Sequence, residues 1–283
     1  MQIEVVDDYS TKDDPEAVVR EIGKGRVGFY RQPENVGHTR NFETCLQRSR
    51  GYLIHLLHGD DAVRPGFYSR MKTIFEEHPE VGAAFTRNMF IDGHGNWIGV
   101  TPLELPHSGV IDDLVERLAV RQRIQTPAIV VRREVYETLR AFDRRLSWTE
   151  DWEMWARIST RYPVWYEAEP LALYRTHENS NTGRYTSTGE TIDDISRLFS
   201  ILQEYVPNGA GASLTRQGRS LYARTALERA ADMAANGEFS SVIAQTRGAV
   251  HLSFSHLMVW PLFRVVWHSL LYGVKRLRSG RGA

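Results

Sequence analysis

Cysteine is nearly absent from this chain: Cys45 is the only one in 283 residues. An internal disulfide framework is therefore excluded. The spacing of Cys45 from Phe42 and Leu46 puts it on the core face of a helix, an inert thiol suited to a reducing compartment. Net charge of either sign is also missing. Lys plus Arg and Asp plus Glu both total 35, so no global basic field argues for nucleic acid. The N-terminus lacks the basic-then-apolar pattern of a secretory signal, which makes the cytoplasm the expected location. Internal repeats are not visible, and neither is a Gly-rich phosphate loop with a following lysine. What remains is 42% hydrophobic and 25% charged, a composition for one large domain or two smaller ones.

Apolar runs and turn residues alternate along the first half. Ile3 to Asp8 reads as a short strand running into a polar turn, and Val27 to Tyr30 as a second strand. Between them, Asp14 caps a helix with Pro15 at its first position and Glu16 in its first turn, reaching about Ile22. A helix from Thr39 to Ser49 leads into Gly51 to Leu57, a buried strand. Pro65-Gly66-Phe67 opens another helix to His78, and Val81 to Phe85 follows as a strand. This alternation predicts a largely parallel sheet. Phe90 to Ile98 then reads as a hairpin on Asp-Gly and Gly-Asn turn signals. Beyond it come a strand at Pro127 to Val131 and a helix from Glu150 to Arg161. From Thr186 the text is helix-rich, with Gly209-Ala210-Gly211-Ala212 as its one obvious linker.

The most informative stretch is Leu56-Leu57-His58-Gly59-Asp60-Asp61, where an apolar run ends on adjacent carboxylates. Open α/β sheets bind ligands at the carboxyl ends of their strands. Paired hard oxygen donors there suit a divalent metal that also holds phosphate. Gly-Asp-Asp is equally ordinary turn chemistry, with glycine freeing the backbone.

Read in order, Asp7-Asp8-Tyr9-Ser10, Asn35-Val36-Gly37 with Arg40-Asn41, and Gly59-Asp60-Asp61 each stand at a strand end or nearby loop. Thr149-Glu150-Asp151-Trp152 and Tyr174 to Ser180, with His177, come downstream. This ordered set, over roughly residues 1 to 180, resembles the family-2 glycosyltransferases, inverting enzymes of the GT-A fold that use nucleotide sugars. The resemblance implies an α/β fold, Rossmann-like, with helices flanking a mostly parallel sheet. It implies transfer of a sugar from a nucleotide donor, UDP-linked by expectation, to a hydroxyl of a saccharide or lipid-linked acceptor. Mn²⁺ or Mg²⁺ is the implied cofactor, held by Asp60, Asp61 and His177. Asp7 and Asp8 match the pair that meets uracil and ribose. Ser10, Asn35, Gly37, Arg40 and Asn41 join them and Asp60 on the donor side. Asp151 matches the base that takes the acceptor's proton, with Glu150 and Trp152 on the acceptor side. Each has a plainer reading: an Asx turn for Asp7 and Asp8, helix capping for Arg40, Asn41, Thr149 and Asp151, and core packing for Trp152. The competing function is a non-catalytic glycan- or nucleotide-binding relative that has lost activity. A nucleotidyltransferase making the activated sugar lacks support without the phosphate loop.

Two departures from the family pattern stand out. His58 occupies the first position of the usual Asp-x-Asp. The family also begins with an apolar strand about 25 to 30 residues before the Asp-Asp motif, a βαβ-sized unit. Here Met1 starts almost on the second strand, so the expectation is a start placed too late or a fragment.

The resemblance and the helix-rich text suggest a domain at 1–185 and a helical region at 186–283. Leu257 to Val274 is rich in Trp, Leu, Val and Phe but interrupted by Arg264 and His268, with Lys275, Arg276, Arg278 and Arg281 following. An arginine near the middle disfavours a spanning helix. Arg264, His268 and Lys275 share one helical face, so a stretch over 257–278 reads either as a helix lying on the inner face of the cell membrane or as an ordinary packed one.

Overall fold

A computed structural model of the chain describes residues 1–140, 142–177, 190–254 and 258–279. The chain forms two compact units: residues 1–112, 124–144 and 157–175 make the first, and 113–123, 145–156 and 176–283 the second. The division is not a single cut near 185, because two short inner segments pack with the C-terminal helices.

In the first unit, β1 (Glu4–Asp7) and β2 (Gly28–Arg31) pair in parallel across α1 (Pro15–Gly23). Asp14 caps α1 by accepting from the N–H of Ala17 at 3.0 Å. Helix α2 (His38–Arg48) follows, then β3 (Leu53–His55), β4 (Ala62–Val63) and α3 (Phe67–Glu77). Next come β5 (Ala83–Ile91), β6 (Trp97–Val100), β7 (Gly109–Val110), β8 (Ile129–Arg132), α5 (Arg133–Leu139) and β9 (Val164–Arg175), with α4 (Leu114–Leu118) falling to the second unit. The larger sheet runs β3-β8-β5-β9-β4, with β6 on β5 and β7 on β9.

The sheet is mixed rather than largely parallel. Only β1–β2 and β5–β9 are parallel among the described pairs. Beyond the expected β5–β6 hairpin, β8 runs antiparallel to both β3 and β5, and β4 and β7 run antiparallel to β9. Strand β9, the longest, has no expectation behind it at sequence level. It carries Glu167, Glu169 and Pro170, which break any apolar alternation. Its pairing with β5 slips register around Arg87, opposite Pro170, and a bulge is where a sheet tolerates proline. Arg70 and Ser108 donate to the Glu167 carboxylate at 2.6 and 2.8 Å. Burial alone would push Glu167 up, but these bonds outweigh it and hold its carboxyl below the ordinary value.

The core of this unit lies under α3: Phe67, Met71, Ile74 and Phe75 pack on Val81, Ala84, Val130 and Leu171. Cys45 is half-buried on α2, and burial, with Glu4 nearby, pushes its thiol to about 11. It is inert, as its helical position predicts.

In the second unit, α6 (Glu150–Ser159) begins after a tight loop, and α7 (Glu190–Tyr205), α8 (Gly211–Asn236), α9 (Phe239–Leu252) and α10 (Val259–Ser279) follow. Gly209 is no linker. At φ 71° it completes the short turn between α7 and α8. Ala230, Ala231 and Ala234 of α8 allow close approach to Val242 and Val265. No helix among the described residues is long and apolar enough to cross a membrane.

His55 of β3 has its Nε2 3.0 Å from the Pro127 carbonyl and its Nδ1 3.2 Å from the Tyr68 hydroxyl. A neutral ring serves both, donating through Nε2 and accepting at Nδ1. Burial lowers its pKa to about 4, against the upward pull of the Pro127 carbonyl. The unfolded ring binds its proton near pH 6.5, so the unfolded state holds more protons between the two values. Stability therefore falls as pH drops from 6.5 towards 4, by at most ~1.4 kcal/mol per pH unit from this residue. Urea midpoints measured across that window should fall less steeply in His55→Gln; identical slopes would clear His55 of the effect.

Candidate active site

The acidic turn after β3 is closed by the Asp61 N–H donating to the His58 carbonyl at 3.2 Å. Asp60 is exposed, and His58 and Asp61 are half-buried. One ligand atom from each of the three lies within 4.8 Å of the others. Gly59 does not supply the backbone freedom expected of it: its φ is not left-handed, and a Cβ there would touch nothing.

Arg175, at the end of β9, organises the turn. Its N–H donates to Asp61 Oδ1 at 2.8 Å. Its guanidinium donates to the Asp60 carbonyl at 2.8 Å and to the Asp92 carbonyl at 2.9 Å. The hairpin between β5 and β6 is thereby fastened to the acidic turn. Asp92 shapes the hairpin tip by accepting from the N–H groups of His94 and Asn96, both at 2.8 Å.

Asp61 Oδ2 accepts no hydrogen bond although its side chain is 1% exposed. Leaving a buried carboxylate oxygen without a partner is costly. Two carboxylates and an imidazole around such an oxygen fit a divalent cation in donor number and type.

The donor-side residues gather on the loops after β1 and β2. Asp7 is buried and accepts from the Ser10 N–H at 3.1 Å and the Ser10 hydroxyl at 2.5 Å, with Arg31 at 3.6 Å. Arg31 also donates to the Ser10 carbonyl. Asp8 accepts from the Val36 N–H at 2.8 Å, and the Asn35 amide donates to the Asp8 carbonyl at 3.0 Å. The Asx turn of the plainer reading is thus present, and it joins the two loops. Asn41 donates to the Val6 carbonyl at 2.9 Å and accepts from Gln32 at 3.1 Å. Gly37 sits at φ +82°, which glycine adopts without strain, and starts α2 with no side-chain cap and no acid in its first turn. An uncapped helix start favours anions. Arg40 lines a polar cleft of about 420 Å³ with Gln32, Val36, Thr44, Gln47 and the Glu43–Arg144 pair.

The acceptor-side residues belong to the second unit. Asp151 is half-buried and accepts from the Trp152 N–H at 2.6 Å and from Gln122 at 3.4 Å. Glu150 is buried. Trp152 is 2% exposed, donates to the Leu118 carbonyl, and packs on Phe199 and Tyr222. The structure makes it a core residue. Among the downstream motif residues, Glu178, Asn179 and Ser180 lie outside the described residues, and His177 falls in the second unit.

Sequence reasoning gave no role to Asp194, which is fully buried on α7. Its carboxylate accepts from the N–H groups of Ser147, Trp148 and Thr149 at 3.0, 3.0 and 2.9 Å, and from the Thr149 hydroxyl at 2.8 Å. Arg197 pairs with it at 3.0 Å. The loop that delivers Glu150 and Asp151 is therefore shaped by an acid over 40 positions downstream. Two adjacent acids, Asp193 and Asp194, between Ile192 and Ile195 were the available signal.

The sequence profile of glycosyl transferase family 2 matches residues 1–140. Those residues, just under half of the chain, carry the pattern of that family. An uncharacterized protein of Mycobacterium tuberculosis (strain CDC 1551 / Oshkosh), MT1568, is 26% identical over 212 residues, 71% of this chain. The match spans 66% of that protein, just under two thirds of its length. Among solved structures, S. aureus TarS (residues 1–349) superposes with a TM-score of 0.59 at 12% identity, covering 95% of this chain and 79% of that one. The mannosyltransferase PcManGT from Pyrobaculum calidifontis, in complex with GDP-Man and Mn²⁺, superposes at 0.53 and 16% identity, covering 95% and 77%. These likenesses establish the GT-A fold.

Replacing Asp194 by Ala strips the partner from three backbone N–H groups and an arginine. Breaking such a buried set costs about 3–5 kcal/mol, so Asp194→Ala should unfold at markedly lower urea than the native chain. A midpoint within error of the native one would show that the loop keeps its shape without Asp194.

Proposed function

We propose that this family-2 chain is an inverting, metal-dependent transferase that moves a sugar from a nucleotide donor, UDP-linked, to a hydroxyl of a saccharide or lipid-linked acceptor in cell-surface glycan assembly. The observation that carries the reading is the convergence of His58, Asp60 and Asp61 at the carboxyl end of β3, within the family-matched segment. One solved relative was captured with UDP and another with GDP-Man and Mn²⁺, and the ligand classes proposed here follow theirs.

Asp60 and Asp61 hold the divalent ion, Mn²⁺ or Mg²⁺, whose chemistry is to neutralise charge on the departing diphosphate. His177 stands on the diphosphate side. The uncapped start of α2 and the Arg40 guanidinium add positive potential for the same phosphates. Asp8, Asn35 and the Ser10 turn hold the nucleoside, and Asp7 fixes that turn. Asp151 takes the acceptor hydroxyl's proton on a carboxylate oxygen as the new glycosidic bond forms. It lies in the first turn of α6, where backbone N–H groups are at hand.

The acceptor side is proposed to work at a membrane surface, on the inner face of the cell membrane. Every exposed position in Val259–Tyr272 is apolar: Val259, Trp260, Phe263, Val266, Trp267, Leu270 and Leu271. Trp260, Phe263 and Trp267 stack in series at 5.5 and 6.3 Å. No Asp or Glu follows Glu238, whereas Arg247, Arg264, Lys275, Arg276, Arg278 and Arg281 do. An aromatic stripe followed in the sequence by basic residues is matched to an anionic bilayer.

Two measurements test the reading. Asp151→Asn should lower transfer by about 10²–10⁴-fold, the usual worth of a general base, while UDP binding stays within two-fold; undiminished transfer would remove Asp151 as the base. On vesicles of anionic phospholipid, the native chain should sediment at least about ten-fold more than a variant carrying Trp260→Ser, Phe263→Ser and Trp267→Ser. Equal sedimentation would remove the membrane contact.

A further inference from the structure

The turn after β3 presents donors of two kinds. Asp60 and Asp61 offer carboxylate oxygens, and His58 offers a ring nitrogen in the same small space. His58 Nδ1 lies 3.5 Å from Asp61 Oδ2, the buried oxygen that accepts no hydrogen bond. At that distance the two are not well bonded to each other, yet both face one point. The ring is held in place by parallel stacking on Phe42, with centroids 5.3 Å apart and planes 3° from parallel. Phe42 is itself wedged against Phe142 at 5.6 Å. Stacking here does what an outer hydrogen bond does for most metal-binding histidines: it fixes the ring's direction. Asp61 is anchored through its other oxygen to the Arg175 N–H, which leaves Oδ2 committed to the shared point.

We propose that His58 is a metal ligand, the nitrogen donor to an ion that Asp60 and Asp61 hold through oxygen, and that it biases the site towards Mn²⁺ over Mg²⁺. The inference rests on reading this turn as the diphosphate-side metal site. Mg²⁺ sheds water reluctantly and prefers an all-oxygen shell. Imidazole is a better partner for the later, softer divalent ions, so one nitrogen shifts the balance. The residue that breaks the acidic pattern of the turn thus sets which ion it takes.

The test is pulsed electron paramagnetic resonance on the full chain loaded with Mn²⁺, alongside calorimetric titration of Mn²⁺, Mg²⁺ and UDP. Bound Mn²⁺ should show ¹⁴N coupling from one imidazole. The coupling should persist in His177→Ala and vanish in His58→Ala, with Mn²⁺ affinity falling at least about ten-fold. His58→Asp should restore binding and let Mg²⁺ compete with Mn²⁺ more evenly than in the native chain. Absence of ¹⁴N coupling in the native protein overturns the proposal with no variant needed, as does coupling that survives His58→Ala. UDP separates the two readings. Metal-dependent UDP binding unaffected by loss of His58 sinks the His58 assignment alone. A chain that binds Mn²⁺ through His58 but no sugar nucleotide sinks the transferase site and leaves the metal site standing.

Discussion

Arg175 is the constraint on which the acidic turn depends. A stretch of His, Gly and Asp has no apolar face to bury, and its conformational entropy would otherwise spread it over many shapes. One residue removes that freedom, giving its backbone N–H to Asp61 and its guanidinium to the carbonyls of Asp60 and Asp92. Because Arg175 ends β9, and β9 lies between β5 and β4 in the larger sheet, the turn inherits the rigidity of the longest described strand in the unit. Polar atoms held by a sheet end are already placed, so any ligand of the turn would meet a lower ordering cost.

The same device recurs elsewhere: a carboxylate spends lone pairs on backbone N–H groups to shape a loop. Asp7 does so for Ser10, Asp8 for Val36, and Asp194 for three successive residues. For Asp7 this qualifies the role the sequence resemblance implies. A carboxylate has about four lone-pair directions, and at Asp7 the Ser10 turn and Arg31 take most of them. Asp8 uses one oxygen on Val36 and keeps more capacity for a ligand. The two adjacent acids are chemically alike but not equivalent in what they have left to offer.

Much of this was legible in the residues, and for physical reasons. The Asp14-Pro15-Glu16 signature fixed the start of α1, and Asp92-Gly93 fixed the hairpin, because caps and tight turns are local. The acidic turn was legible because an apolar strand ends abruptly on charge. What could not be read was long-range. Strand β9 hides behind Pro170, tolerable because of a bulge, and the buried Glu167, tolerable because of Arg70 and Ser108, over 50 positions away. The antiparallel pairings depend on which strands become neighbours, and no window of sequence carries that. His58 could be seen as a departure from an acidic motif, but its stacking on Phe42 required the fold. Asp194 gave even less sign of itself.

The clasp between Asp194 and the Ser147–Thr149 loop carries a consequence for how the protein comes into being. A ribosome finishes the whole family-matched segment, and the loop beyond it, before it reaches residue 194. Until α7 is synthesised and seated, the amides of Ser147, Trp148 and Thr149 have no acid to hold them, and the start of α6 is left loose. A nascent chain can thus carry every residue up to Thr149 and still be unable to present Glu150 and Asp151 in their final arrangement. Order of manufacture alone makes this loop one of the last parts of the chain to take its shape.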